Sequence, residues 1–319
     1  MRLPFPAAAI AALLLVPAAA HADCRAKAIG ILEASSPDGA AIYRQARPDF
    51  FAGWIDCAEA EYGLPTAVHE STHYVTGETD AFPLVGGGAV PRPHEVSGFM
   101  PPWRIARQFG PDSFVDIYLT RGKASSATDF LYLLDELNAY THDLSAAVDL
   151  KALRSHDEVV DHRDGLAALM AFTAAYAEIA REKEPATWRG LQAPGARAAV
   201  AALWSQAERV MAASCGIPNY GAEDKAYLGR VCAAGPGSAM AALVGHAPAC
   251  PAACLAPDVA DAGPDEAPEP VRQEAQDDAV TGSLPRHPFA IAAGPRHHRP
   301  AHDAGLSARK QPAAGDRPQ

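Results

Sequence analysis

Leu64-Pro65-Thr66-Ala67-Val68-His69-Glu70-Ser71-Thr72-His73-Tyr74-Val75-Thr76-Gly77 is the stretch from which the rest of this chain is read. Pro65 suits the first turn of a helix, where its missing N–H is not needed. Gly77 suits the position just past a helix end. Between them no Gly or Pro intervenes, and Glu70 is the sole charged side chain. On a helix, residues four apart share a face, so His69 and His73 would offer two imidazoles to one metal ion. Glu70 sits one step round, placed to hold a water and take its proton. Val68, Thr72 and Val75 form a narrow stripe that can pack inward.

The flank extends the pattern. Thr66 stands three residues before His69, uncharged residues occupy Ala67, Ser71, Thr72 and Tyr74, and Val75 follows. Over these dozen residues the chain resembles the zincin metallopeptidases. That resemblance implies a zinc site on a helical domain, peptide or protein substrates, and a carboxylate base at Glu70. It also implies an extended edge strand beside the metal, for which Leu84 to Val90 is the candidate. The bare residues of that segment, with Pro83 and three glycines, also fit an irregular loop.

Zinc needs a third protein ligand. The metzincin form of the resemblance fails by one residue: Thr76 and Thr79 stand where Gly and His or Asp belong, while Gly77 and Asp80 come one position late. The gluzincin form places a glutamate on a later helix. The stripe Phe130, Leu133, Leu134, Leu137, Tyr140, Leu144, Val148 predicts such a helix, opened by Ser126 with Asp129 as a capping pair and running to about Leu150. At about 100° per residue, Glu136 falls on the margin of the stripe, beside Leu133 and Tyr140. A carboxylate there needs a partner, and a metal shared with His69 and His73 would be one. Glu136 is the preferred third ligand; Asp80, Glu78 and His94 are the alternatives. Asp135 and His142 are expected to face solvent. Tyr140 is a candidate donor to an oxyanion or a core tyrosine. Asp143 is a candidate hydrogen-bond partner for a ligating histidine.

Outside these helices the chain divides into three. Residues 1–22 read as a signal peptide: Arg2, the apolar run Leu3 to Val16, and the small-x-small site Ala20-His21-Ala22. Residues 23–250 form a mainly α domain, α+β only through a small edge strand or hairpin. Helices are expected over Asp23 to Ser35, Ala40 to Arg47, Phe50 to Tyr62, Pro102 to Phe109, Gly165 to Arg181, Pro194 to Ala213, Ala222 to Ala233 and Ser238 to Val244. Ser113 to Thr120 fits strand or helix. Residues 251–319 are rich in Pro and Ala, lack periodic apolar residues and read as a disordered tail carrying His287, His297, His298 and His302.

Export implies an oxidising compartment, periplasmic or secreted, and six cysteines suit it. Local pairing is the simplest expectation: Cys24–Cys57, Cys215–Cys232 and Cys250–Cys254. A net charge of −11 argues against a nucleic-acid partner. No segment beyond the leader is long and apolar enough to span a membrane. The function implied is an exported zinc metallopeptidase acting through a zinc-bound water; the rival is a metal-binding or interaction protein of the cell envelope without turnover.

Overall fold

In the computed structural model, which describes residues 16–154 and 159–256, the chain is mainly helical. Most of the expected signal peptide and the tail from residue 257, with its four histidines, lie outside the described residues. No helix among the described residues is long and apolar enough to cross a membrane.

The first layer comprises α1 (Val16–Ser35), α2 (Pro37–Gln45), α3 (Pro48–Gly53) and α4 (Leu64–Thr79). Ser36 joins α1 to α2, its hydroxyl accepting from the Gly39 amide and donating to Asp149. The helix expected over Phe50 to Tyr62 ends at Gly53, and tight turns follow. Two consecutive left-handed residues, Tyr62 and Gly63, swing the chain into α4. A Cβ on Gly63 would come 3.0 Å from the Trp54 carbonyl, so glycine is required by both space and dihedral.

α4 runs past the glycine expected to end it. Gly77 lies inside the helix, and Asp80, at φ 53°, takes the left-handed cap. Aspartate tolerates this conformation because its short polar side chain can bond locally. The chain then forms a hairpin of β1 (Ala81–Pro83) and β2 (Ala89–Pro91), antiparallel with Phe82 opposite Val90. The expected strand Leu84 to Val90 is thus mostly the connecting loop, where Gly86, Gly87 and Gly88 all take positive φ. Two 3-10 segments, His94–Gly98 and Pro102–Gln108, follow. Residues expected as strand or helix form α5 (Ser113–Tyr118), capped by the Asp112 carboxylate.

α6 (Phe130–Leu150) is the axle. Its cap is Asp129, which accepts from the Leu131 amide; Ser126 instead sits in a 3-10 turn and donates to the Tyr118 carbonyl. The capping pair expected from Ser126 therefore does not form: Asp129 alone is near enough to the first free amides. Around α6 pack α4, α7 (His162–Lys183) and α9 (Pro194–Ser214), with α8 (Pro185–Leu191), α10 (Asp224–Val231), α11 (Ala234–Val244) and α12 (Ala252–Leu255) outside them. Buried alanines on α6, α7 and α9 keep these helices close. Two apolar clusters result. The larger gathers α6, α7, α9 and their neighbours; the smaller joins α1 to α4 with Ala146 and Leu150 of α6. Each large aliphatic side chain so buried contributes about 1.5–3 kcal/mol.

Three disulfides form. Cys24–Cys57 is as expected. The other four cysteines pair Cys215–Cys254 and Cys232–Cys250, not locally. The reason is topological: Gly245, at φ 93°, ends α11 and returns the chain toward α9 and α10, so the late cysteines meet the early ones in nested order.

Candidate metal centre

α4 and α6 cross antiparallel. His69 lies against Tyr140 and His73 against Asp135, so one helix ascends in number as the other descends. The small cluster that joins Leu64, Ala67 and Val68 to Ala146 and Leu150 holds the N-terminal half of α4 in place. This crossing brings His69, His73 and Glu136 together. Among the described residues they are the one group of three metal-ligating side chains whose donor atoms converge.

The convergence has ligand dimensions. His69 Nε2 and His73 Nε2 are 3.2 Å apart; Glu136 Oε2 lies 3.4 Å from His73 Nε2 and 3.7 Å from His69 Nε2. Bonds of about 2.1 Å meeting at a tetrahedral angle put neighbouring donor atoms about 3.4 Å apart. The triangle is therefore of a size that lets one ion lie at bonding distance from all three atoms.

The electrostatics pair His73 with two carboxylates. Burial works against charge on His73, but Asp135 and Glu136 outweigh it and hold its pKa well above the ordinary imidazole value. Burial likewise works against ionised Glu136, yet His73, with hydrogen bonds from both imidazoles, draws its pKa down to about 2.

Asp135, expected in solvent, is buried, and its Oδ2 accepts from His73 Nδ1 at 2.9 Å. In the neutral ring, that bond keeps the proton on Nδ1 and leaves the Nε2 lone pair to the triangle. His142, also expected outside, is buried, and its Nε2 donates to the Pro83 carbonyl at 3.0 Å. The single-stripe argument failed for both because α6 is covered on several sides: by α4, α7, α9 and the hairpin.

Glu70 is half-buried and makes no hydrogen bond or ion pair among the described residues. Its charge is felt at the Tyr118 hydroxyl, as is that of Glu136. Tyr140 packs edge-on against the His69 ring, and its hydroxyl lies 2.8 Å from that of Tyr118. Burial raises both phenol pKa values well above the usual range, so both remain protonated donors at neutral pH. Gly165 of α7 makes room: a Cβ there would meet the Tyr140 ring at 2.1 Å.

The other candidates lie elsewhere. His94 and Asp80 bond each other at 2.7 Å on the surface, and Glu78 is exposed. Asp143 does not reach a ligating histidine; it accepts from His162 Nδ1 at 2.6 Å. The sequence reading gave no site role to Asp135, Tyr118 or His162. Asp135 stands next to Glu136 and carried a signal in that adjacency; nothing local marked Tyr118 or His162.

Comparisons with protein-family models, curated proteins and solved structures return no match to this chain. The zincin resemblance therefore rests on the residues of α4 and α6 alone. Those residues could hold a metal ion by donor type, spacing and the Asp135 support behind His73.

Proposed function

We propose that this protein is an exported zinc-dependent metallopeptidase of gluzincin-like plan. The observation that carries the reading is the convergence of His69, His73 and Glu136 with Glu70 one step round the same helix. Zinc held by these three residues would supply Lewis-acid polarisation of a carbonyl and acidify a water at neutral pH. Glu70, without a hydrogen bond or ion pair among the described residues, takes the proton of the attacking water and returns it to the leaving amine. Tyr140, protonated and paired with Tyr118, donates toward the carbonyl oxygen as charge develops there. Asp135 holds His73 in the ligating tautomer. Three disulfides suit an oxidising compartment, in keeping with the leader.

One observation favours the rival, a metal-binding envelope protein without turnover. The hairpin, which would have to seat a substrate chain, is hydrogen-bonded through Pro83 to His142 and through Val85 to Gln206. None of its hydrogen bonds among the described residues reaches the triad.

Glu70→Gln separates the two readings. The wild-type chain should bind one zinc and cleave a peptide library; the variant should bind zinc equally and cleave nothing. Cleavage that survives the substitution removes Glu70 as the base. Stoichiometric zinc with no cleavage by wild type leaves the binding protein.

A further inference from the structure

A second polar cluster lies on the same face of α6 as the metal triad. Glu136, Tyr140 and Asp143 fall within about 60° of one another around the helix, and Asp143 is two turns, about 10.5 Å, beyond Glu136. His162, the first residue of α7, sits between two carboxylates. Its Nδ1 donates to Asp143 Oδ1 at 2.6 Å, and its Nε2 lies 3.5 Å from Glu61 Oε2. All three side chains are nearly buried. The carboxylates hold opposite nitrogens of one ring, so the three cannot converge on an ion of their own. They form a bridge, not a second metal site.

What the bridge joins gives it a role. Glu61 lies three residues before α4 begins and eight before His69; Asp143 belongs to the helix that carries Glu136. At the other end of the crossing, His73 is tied to Asp135. The triad is thus bracketed: one imidazole–carboxylate bond beyond it and the Glu61–His162–Asp143 bridge before it. Beside these two ties, Leu64, Ala67 and Val68 of α4 pack against Ala146 and Leu150 of α6. Apolar contacts are non-directional and tolerate sliding, whereas an imidazole held at both nitrogens does not. Metal ligands need placement to about 0.5 Å.

We infer that His162 is a positioning residue, a pin that locks the segment entering α4 to α6 and so holds His69 and His73 at ligand distance from Glu136. The inference rests on the triad being a metal centre. Burial of His162 alone would discharge the ring, but Asp143 and Glu61 outweigh it and raise its pKa to about 10, so the pin is cationic at neutral pH. Among the described residues, the other Glu61 oxygen, Oε1, is buried without a hydrogen-bond partner.

The test is Co2+ titration of the full chain, read by visible absorption, with four variants. His162→Gln removes the pin, and Glu61→Gln weakens it with one atom changed. Both should raise the Co2+ dissociation constant about tenfold or more and alter the absorption band, because ligand geometry changes. Asp143→Asn should do the same. Asp224→Asn breaks the buried Arg163–Asp224 pair between α7 and α10 and serves as a control for general loosening. It should leave affinity and band unchanged. If His162→Gln does not fold, Glu61→Gln decides. Folded pin variants that bind Co2+ as wild type does, or an Asp224→Asn effect as large as theirs, overturn the pin while the metal centre stands. A wild-type chain that binds no Co2+ overturns both.

Discussion

His73 Nδ1 lies 2.9 Å from Oδ2 of Asp135, the residue directly before Glu136. Two adjacent residues of α6 thus serve one imidazole, Glu136 beside its Nε2 and Asp135 at its Nδ1. Asp135→Asn keeps the shape but lets the amide present either oxygen or nitrogen, so the ligating tautomer is no longer enforced. Zinc affinity should fall about 10- to 100-fold, measured by competition with a chromogenic chelator. Unchanged affinity would show that the bond does not orient His73.

On the proposed peptidase reading, variants of the Tyr118–Tyr140 pair separate catalysis from metal binding. Tyr140→Phe should lower kcat about 100-fold or more with KM and zinc content little changed, as for loss of an oxyanion donor. Tyr118→Phe should lower kcat less, since the Tyr140 hydroxyl survives but loses its 2.8 Å partner. Gly165→Ala must displace the Tyr140 ring, whose atoms a Cβ would meet at 2.1 Å; overpacking of this kind costs about 1–3 kcal/mol and should reproduce the Tyr140→Phe defect. Steady-state kinetics beside zinc analysis checks all three. Wild-type kcat in Tyr140→Phe would exclude its hydroxyl from the reaction.

His162 gives stability a pH dependence of known sign. Its folded pKa, about 10, is above the ordinary value of about 6.5, because Asp143 and Glu61 outweigh the opposing effect of burial. The folded state therefore binds the proton more tightly than the unfolded one. The resulting stability is fully present below about pH 6.5 and is lost as pH rises through about 10. Denaturant unfolding of the metal-free chain should show stability declining over that window. His162→Gln should show a shallower decline, and parallel profiles would mean that the ring carries no extra proton.

The nested disulfides are directly checkable. Non-reducing peptide mapping should recover Cys215 linked to Cys254 and Cys232 linked to Cys250, along with Cys24 linked to Cys57. Replacing either nested pair by serine should cost about 2–4 kcal/mol, seen in thermal unfolding. Recovery of a Cys215–Cys232 peptide would contradict the return of the chain after α11.

Local periodicity made the helices readable. The span of α4, the stripe of α6 and the long alanine-rich helices α7 and α9 follow from residues a few positions apart, which meet whatever the tertiary fold. His69 and His73 belong to that class, and so does the placement of Glu136 on the edge of an apolar face. Helix ends were less legible, because competing caps lay within a turn: Asp80 replaced Gly77, and Asp129 replaced Ser126.

What the sequence by itself determined is a mainly helical chain with two imidazoles and a carboxylate on one helix, and a carboxylate on another suited to join the imidazoles. The tertiary structure alone decided how the two helices cross. The antiparallel crossing puts Glu136 Oε2 within 3.7 Å of both imidazole nitrogens, gives Asp135 to His73 instead of to solvent, and sets Tyr118 against Tyr140. It also places His162 between Glu61 and Asp143, residues far apart along the chain. The physical reason is range. A helix face is defined by contacts within four residues, but a buried polar side chain takes its partner from whichever element covers it, and several elements cover α6.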